Sequence, residues 1–251
     1  MSGHSKWSSI KHKKGAADAK RGQLFTKLTR ALIVAAKEGG PDPAANLSLQ
    51  NAIEKARAAS MPKDNIERAI ARGSGTGADA AAYEHISYEG YGPGGVAVYV
   101  EVLTDNRNRT AGEVRHIFTR NDGNLAESGA VAWLFERKGV ILIDADAADE
   151  EELTMAAADA GAEVVLEEGS SYEVTTAAED LHAVREALEA AGIAVTDAES
   201  TMLPKTTVEI DDEATARKVL RLMDALEEAD DVQDVYANFD IPERVLEAAA
   251  V

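Results

Sequence analysis

The spacing of the apolar residues first changes at a stretch rich in glycine and small residues over positions 73–82. Before it, apolar residues recur every three or four positions, which is the period of an amphipathic helix. After it, Val96, Val98, Val100 and Val102 alternate with other residues, which is the period of a strand. The chain is therefore expected to combine a helical part with parts that contain sheet.

Three helices are predicted before this stretch, over residues 16–38, 44–59 and 62–73. The first ends at a Gly-Gly-Pro sequence, and the third begins at Pro62, because proline suits the first helical position. Three short helices with narrow apolar stripes indicate a small bundle. The stretch 73–82 is predicted to be a flexible linker, since glycine and small residues cannot bury enough surface to order it.

A hairpin is predicted after the linker, with strands on both sides of the turn Gly-Pro-Gly-Gly at 92–95. The turn is expected to be flexible, and it lacks the Lys-Ser/Thr that would make it a phosphate loop of the Walker type. A helix is predicted over 107–120, and a further strand over 130–136. These elements begin a sheet.

The remaining chain predicts an α+β fold with three domains. Residues 136–204 have the order βαββαβ of a ferredoxin-like unit. The strand, helix and strand after residue 204 contain too little sheet to stand alone, so we expect them to complete the sheet begun at 84–135. The predicted domains are 1–78, a basic three-helix bundle; 79–135 with 205–251, a discontinuous α+β domain; and 136–204, the acidic unit inserted in it.

The charges are divided between the helical part and the rest. Residues 1–75 contain 14 Lys and Arg against 6 Asp and Glu, whereas the rest contains 12 against 39, so net charges of +8 and −27 combine to the −19 of the chain. Such asymmetry predicts one region that contacts polyanions and another that avoids them. The acidic unit is a candidate for binding a protein partner, or its charge serves solubility alone.

The basic N-terminal segment gives the strongest chemical signal. Its lysines precede a helix, where the positive end of the helix dipole disfavours them, and such a local conflict tends to mark function. Lysine, arginine and free backbone N–H groups suit phosphate oxygens, and Trp7 offers a face for an unpaired base. The alternative is a solvated tail with Trp7 folded onto the bundle. The candidate nucleic-acid contacts are Lys6, Trp7, Lys11, His12, Lys13, Lys14, Lys20, Arg21, Lys27, Arg30, Arg107 and Arg109.

Two of these candidates stand at the start of the predicted helix 107–120, inside an otherwise acidic region. Arg107 and Arg109 could bind a phosphate or pair with nearby carboxylates. In the bundle, further cations between positions 37 and 72 either extend a phosphate track or simply solubilise the helices.

Catalytic, metal and cofactor motifs are not found. The chain has no cysteine, and its five histidines are scattered without a His-Glu-x-x-His pattern, so no catalytic residue, metal site or cofactor is assigned and no enzyme is expected. No stretch approaches the roughly 20 apolar residues of a membrane span, and we expect a soluble cytoplasmic protein without a membrane partner. The sequence assigns no oligomeric state.

Four long motifs in this order resemble the YebC/PmpR family, which includes mitochondrial translational activators of cytochrome oxidase subunit I. They are "MSGHSKWSSIKHKKGAADAKRGQLFTKL", "MPKDNIERAIARG", "YEGYGPGGVAVYVEVLTDNRNRT" and "GAVAWLFERKGVI". The resemblance implies a helical domain and two α+β domains, one interrupting the other. It places Lys6 to Arg21 of the candidate contacts in the N-terminal motif, and Gly92, Gly94, Arg107 and Arg109 in the central one.

The resemblance implies a DNA-binding transcriptional regulator. Some members of the family are instead implicated in translation, which would make the partner ribosomal RNA and the role relief of stalled elongation. From the residues alone, a lysine-rich segment with one tryptophan suits RNA at least as well as duplex DNA. A third hypothesis is a protein-interaction adaptor that acts through the acidic unit.

Overall fold

The structure, a computed structural model, describes residues 18–75 and 83–249. Most of the predicted linker, residues 76–82, therefore lies outside the described residues. The chain divides into two compact units. The first combines the residues up to Ala132 with those from Thr207 onward, and the second contains Trp133–Thr206.

The first unit begins with the helices α1 (Asp18–Gly39), α2 (Leu47–Ala58) and α3 (Lys63–Ser74), which confirm the predicted bundle. Asn46 caps α2, since its Oδ1 accepts a hydrogen bond from the N–H of Leu49 at 3.1 Å. The amide of Asn46 also donates to the carbonyl of Ala35, which ties the start of α2 to α1. Apolar side chains of all three helices, including Leu32, Leu49 and Ile66, form one core.

The first unit also contains a four-stranded sheet in the order β3-β1-β2-β9. Its strands are β1 (Glu84–Tyr91), β2 (Ala97–Thr104), β3 (Asn124–Leu125) and β9 (Val232–Ala237). The predicted hairpin is formed by β1 and β2, which pair antiparallel. The pairing of β2 with β9 joins the two separate segments of the chain, as the predicted return of the chain to this sheet requires.

Two helices pack on one face of this sheet: α4 (Arg107–Arg120) and α7 (Glu213–Glu227). Their apolar faces and the valines of β2 share a core, in which Phe118 and Met223 are fully buried. The short strands β8 (Val208–Glu209) and β10 (Phe239–Asp240) pair in parallel, and the helix α8 (Glu243–Ala249) follows.

The Gly-Pro-Gly-Gly turn between β1 and β2 is a packed element. Pro93–Gly95 form a tight turn, and Pro93 is buried. Gly94 has φ +72°, and a Cβ added there would lie 2.8 Å from Cδ1 of Ile210. Glycine is thus required both by backbone conformation and by contact, and the expected flexible turn is instead held against its neighbours.

The prediction of a strand over 130–136 is wrong for most of that range. Residues 132–134 form a 3-10 turn, and the strand starts only at Phe135. The cause is Glu89 of β1, whose carboxylate accepts hydrogen bonds from the N–H groups of Gly129, Val131 and Ala132 at 2.6–2.8 Å. Backbone donors bound to a carboxylate cannot also join a strand ladder.

The second unit has the predicted βαββαβ order, with all neighbouring strands antiparallel. Its sheet has the order β5-β6-β4-β7, as in a ferredoxin-like unit. The elements are β4 (Phe135–Asp144), α5 (Glu150–Asp159), β5 (Val164–Glu168), β6 (Ser171–Ala177), α6 (Leu181–Ala190) and β7 (Asp197–Pro204). The fold class is therefore α+β. Among residues 18–75 and 83–249, no helix is both long and apolar enough to span a bilayer.

Candidate nucleic-acid interface

The predicted contacts fall into three groups. Lys6, Trp7, Lys11, His12, Lys13 and Lys14 lie outside the described residues, so their assignment stays a prediction. Lys20 and Arg21 belong to the first turn of α1, where only their backbone is described. The side chains of Lys27, Arg30, Arg107 and Arg109 are described, and they have different surroundings.

Lys27 binds the end of α7, and Arg30 binds the loop that follows it. The Nζ of Lys27 donates to the carbonyl of Glu227, and Nη1 of Arg30 donates to the carbonyl of Asp230. The last carbonyls of a helix have no partner within it and form the negative end of its dipole, so cations are favourable there. The guanidinium of Arg30 also lies 5.8 Å from the ring centre of Tyr83. Both residues therefore join α1 to the remainder of the first unit.

A buried carboxylate, Asp231, lies at the centre of this junction and is only 2% exposed. Its oxygens accept from Thr110 Oγ1 at 2.6 Å, Arg109 Nη2 at 2.8 Å and Thr104 Oγ1 at 3.1 Å, and Arg30 Nη1 lies 2.9 Å from Oδ1. Burial raises the pKa of Asp231, but the bonds from Arg109 and Thr110, the charge of Arg30 and the bond from Thr104 outweigh it, so the pKa is lowered. The carboxylate is thus held ionised between two arginines.

Arg109 pairs with carboxylates rather than standing free. Besides Asp231, its Nη2 binds Oδ1 of Asp105 at 2.8 Å. The hydrogen bonds from Arg109 to Asp231 and Asp105 raise the pKa of its guanidinium further. Of the two alternatives left by the sequence, the structure supports carboxylate pairing for Arg109, although 49% of this side chain remains exposed.

The surroundings of Arg107 differ from those of Arg109. It is exposed at the start of α4, whose N-cap Asn106 accepts from the N–H of Arg109 at 3.1 Å. Its carbonyl accepts a hydrogen bond from the hydroxyl of Tyr88 at 3.3 Å, but its side chain pairs with no carboxylate in the described part of the chain. The guanidinium of Arg107 is therefore available to an anion.

The bundle exposes further cations. Lys37, Arg57 and Arg72 are exposed and pair with no carboxylate among residues 18–75 and 83–249. Lys63 lies 3.5 Å from Glu67, and Arg68 donates to Oδ1 of Asn65 at 2.7 Å. Exposed pairs of this kind are weak, so most of the bundle's positive charge still faces solvent.

Two exposed arginines of α4 are not among the nucleic-acid contacts predicted from the sequence. Arg115 and Arg120 are exposed, and neither pairs with a carboxylate in the described ranges. A signal was present in the helix pattern, because a face with Val114 and Phe118 inward places both arginines outward. The role of Asp231 had no such signal, since it depends on residues far apart in the chain.

The described residues lack a group of three His, Asp or Glu side chains that could hold a metal ion. The features that remain are exposed cations on a helical bundle and on α4, and a buried carboxylate, Asp231, that ties the bundle to a discontinuous sheet through Arg30. A helical part followed by two α+β parts, one inserted in the other, defines a multidomain α+β protein.

Two family models match the sequence of this chain. The model described as "TACO1/YebC protein N-terminal domain" matches residues 5–76, and "TACO1/YebC second and third domain" matches residues 83–239. The chain belongs to the TACO1/YebC family, which confirms the resemblance seen in the sequence.

Similar proteins extend over the same length. A "probable transcriptional regulatory protein" of Rubrobacter xylanophilus is 61% identical over 250 residues and covers 100% of both chains. One of Moorella thermoacetica with the same description is 56% identical over 98% of each chain. The crystal structure of a conserved hypothetical protein, Aq1575 from Aquifex aeolicus, is 52% identical, with a TM-score of 0.80 over 90% of this chain and 93% of that one.

Proposed function

We propose that this protein is a DNA-binding transcriptional regulator whose basic helical part contacts the phosphate backbone. The observation that carries the proposal is the division of charge, +8 through residue 75 and −27 beyond it. The net charge of the first region attracts a polyanion, whereas the net charge of the second repels it. The description of the relatives as probable transcriptional regulatory proteins supports the regulatory role.

The surroundings of the cations refine where contact takes place. Lys27 binds the last carbonyl of α7, and Arg30, which is only 16% exposed, binds Asp230 and Asp231 just beyond it, so we assign both residues to holding the bundle in place. Lys37, Arg57 and Arg72 are exposed and have no carboxylate partner in the described part of the bundle. The contact surface would then combine the N-terminal segment, including Lys11, Lys13 and Lys14, with these cations.

Three domains would share this function. The bundle, residues 1–78, would bind the nucleic acid, the discontinuous domain of residues 79–135 and 205–251 would anchor it, and the acidic unit 136–204 would stay clear of phosphates. The ion pairs of Asp231 with Arg30 and Arg109 support the anchoring role, because they connect α1 with α4.

The salt dependence of binding tests the proposal. With about 5 phosphate contacts on duplex DNA, the slope of log affinity against log salt should be near −4 to −5. The triple variant Lys11→Glu/Lys13→Glu/Lys14→Glu should abolish binding and leave thermal unfolding unchanged or slightly improved. Retained binding at moderate salt would contradict the assignment of these lysines.

The nature of the nucleic acid needs a separate experiment. Cross-linking in cells, followed by sequencing of the attached DNA and RNA, should recover promoter DNA. Dominance of ribosomal RNA reads would overturn the transcriptional role in favour of one in translation.

A further inference from the structure

The outer face of α4 contains a glycine that the fold does not need. Gly112 lies in the middle of the helix, without a positive φ, and among the described residues no atom beyond its chain neighbours and the helix's own backbone lies within 4 Å of the position that a Cβ would occupy. Neither a close packing contact nor a left-handed backbone explains the glycine at this position. Glycine is the poorest helix former after proline, so Gly112 weakens α4, and no packing contact in the described part of the chain compensates for the loss.

The nearest surface neighbours of Gly112 are all hydrogen-bond donors. On a helix these neighbours lie three and four residues away, and here they are Asn108, Arg109, Arg115 and His116. All four are exposed. Together with Gly112 they form what we call the α4 face, a bare patch of helix backbone with donors on both sides.

The charges of the α4 face are suited to an anion. The helix contains four arginines and one glutamate. Arg115 pairs with no carboxylate in the described part of the chain, and Arg109 is oriented by Asp105 and Asp231 while half of it remains in solvent. Arg107 adds a further exposed guanidinium at the start of the helix.

We propose that the α4 face is a second contact surface for the DNA phosphate backbone, separate from the bundle. The missing side chain at Gly112 lets the backbone come close, and Asn108, Arg115 and His116 then reach phosphate oxygens on either side. Guanidinium groups suit phosphate because their fork of N–H groups matches two oxygens. This inference rests on the proposed function, since it assigns a further part of the same DNA interface.

Substitution at Gly112 separates a binding role from a structural one. Gly112→Met replaces a poor helix former by a good one, so the melting temperature should rise by about 2–4 °C. The same change should weaken binding to a mixed-sequence DNA duplex about tenfold, because the side chain blocks a phosphate contact. Ala187→Met, on an exposed position of α6 in the acidic unit, is the control and should bind as the wild type does. Unchanged binding by Gly112→Met would overturn the proposal.

Charge reversal provides a second, independent variant. Arg115→Glu should lower the slope of log affinity against log salt by about 1, and its control Arg244→Glu changes the net charge equally on an exposed position of α8. Equal slopes for these two variants would overturn the proposal. This comparison also decides the matter if Gly112→Met does not fold.

The two proposals fail in different ways. If the wild type does not bind the duplex even at low salt, the proposed function fails, and this inference fails with it. If the wild type binds, the triple lysine variant does not, and both α4 variants match their controls, only the α4 face is wrong. A loss of affinity confined to an RNA hairpin probe would overturn the assignment to DNA.

Discussion

Two sets of arginines in the first unit have the same formal charge and opposite surroundings. Arg30 and Arg109 converge on the buried carboxylate of Asp231, whereas Arg72 and Arg115 are exposed and pair with no carboxylate in the described ranges. The first set joins helices, and only the second has its charge available to a partner. A count of basic residues therefore overstates the positive charge that a polyanion meets. The positions of the carboxylates determine which arginines keep their charge available.

The largest expected effect comes from removing the carboxylate that the first set shares. Asp231→Asn leaves Arg30 and Arg109 without their buried counter-charge, so the free energy of unfolding should fall by about 3–5 kcal/mol. Urea unfolding measures this change, and the exposed Asp234→Asn serves as the control. If both variants lose the same small amount, the junction does not depend on Asp231.

A smaller loss is expected at a second buried carboxylate, Glu89, which is bound by backbone N–H groups. Glu89 is 4% exposed, and three backbone N–H groups bind it. Burial raises its pKa, but these hydrogen bonds lower it overall. Glu89→Gln should reduce the free energy of unfolding by about 1–3 kcal/mol and increase amide hydrogen exchange at Gly129, Val131 and Ala132. The exposed Glu84→Gln should change neither quantity, and unaltered exchange in the Glu89 variant would refute its role in holding the loop.

The pH dependence of the free energy of unfolding tests the role of Asp231 in a second way. The pKa of Asp231 in the folded protein is lowered, so its contribution to stability is fully present above the unfolded pKa of about 3.9 and is lost as the pH falls through the folded pKa. The stability difference between wild type and Asp231→Asn should therefore shrink on acidification below about pH 4. Urea titrations from neutral to acidic pH measure it. A difference that stays constant over this range would show that the lowered pKa is not coupled to folding.

The smallest effect on stability is expected for the second set. Arg72→Glu should change the free energy of unfolding by no more than about 0.5 kcal/mol, because the side chain is exposed and has no carboxylate partner in the described bundle. It should nevertheless lower the salt slope of duplex binding by about 1. The control is again Arg244→Glu. A large loss of stability in Arg72→Glu would move this residue into the first set.

The sequence predicts local structure well where the apolar period is regular. The three bundle helices, the hairpin of β1 and β2, and the βαββαβ order of the second unit all follow from spacing and turn residues. The strand expected over 130–136 fails because its donors bind Glu89, about forty positions earlier in the chain. Asp231 likewise meets Arg30 across some two hundred positions. Such long-range contacts leave no periodic trace, so the meeting of Arg30 and Arg109 at Asp231 could not be predicted from the sequence.

The inserted unit begins and ends at neighbouring points. Phe135 stands opposite Pro204 in the antiparallel pair of β4 and β7, and the N–H of Lys205 donates to the carbonyl of Leu134 at 2.8 Å. Chain termini that lie side by side allow one domain to be spliced into another without separating the host's own segments. Insertion, loss or exchange of this acidic unit therefore leaves the two host segments where they are. A short peptide that joins the neighbouring ends at Leu134 and Lys205 offers a way to engineer the protein without the unit.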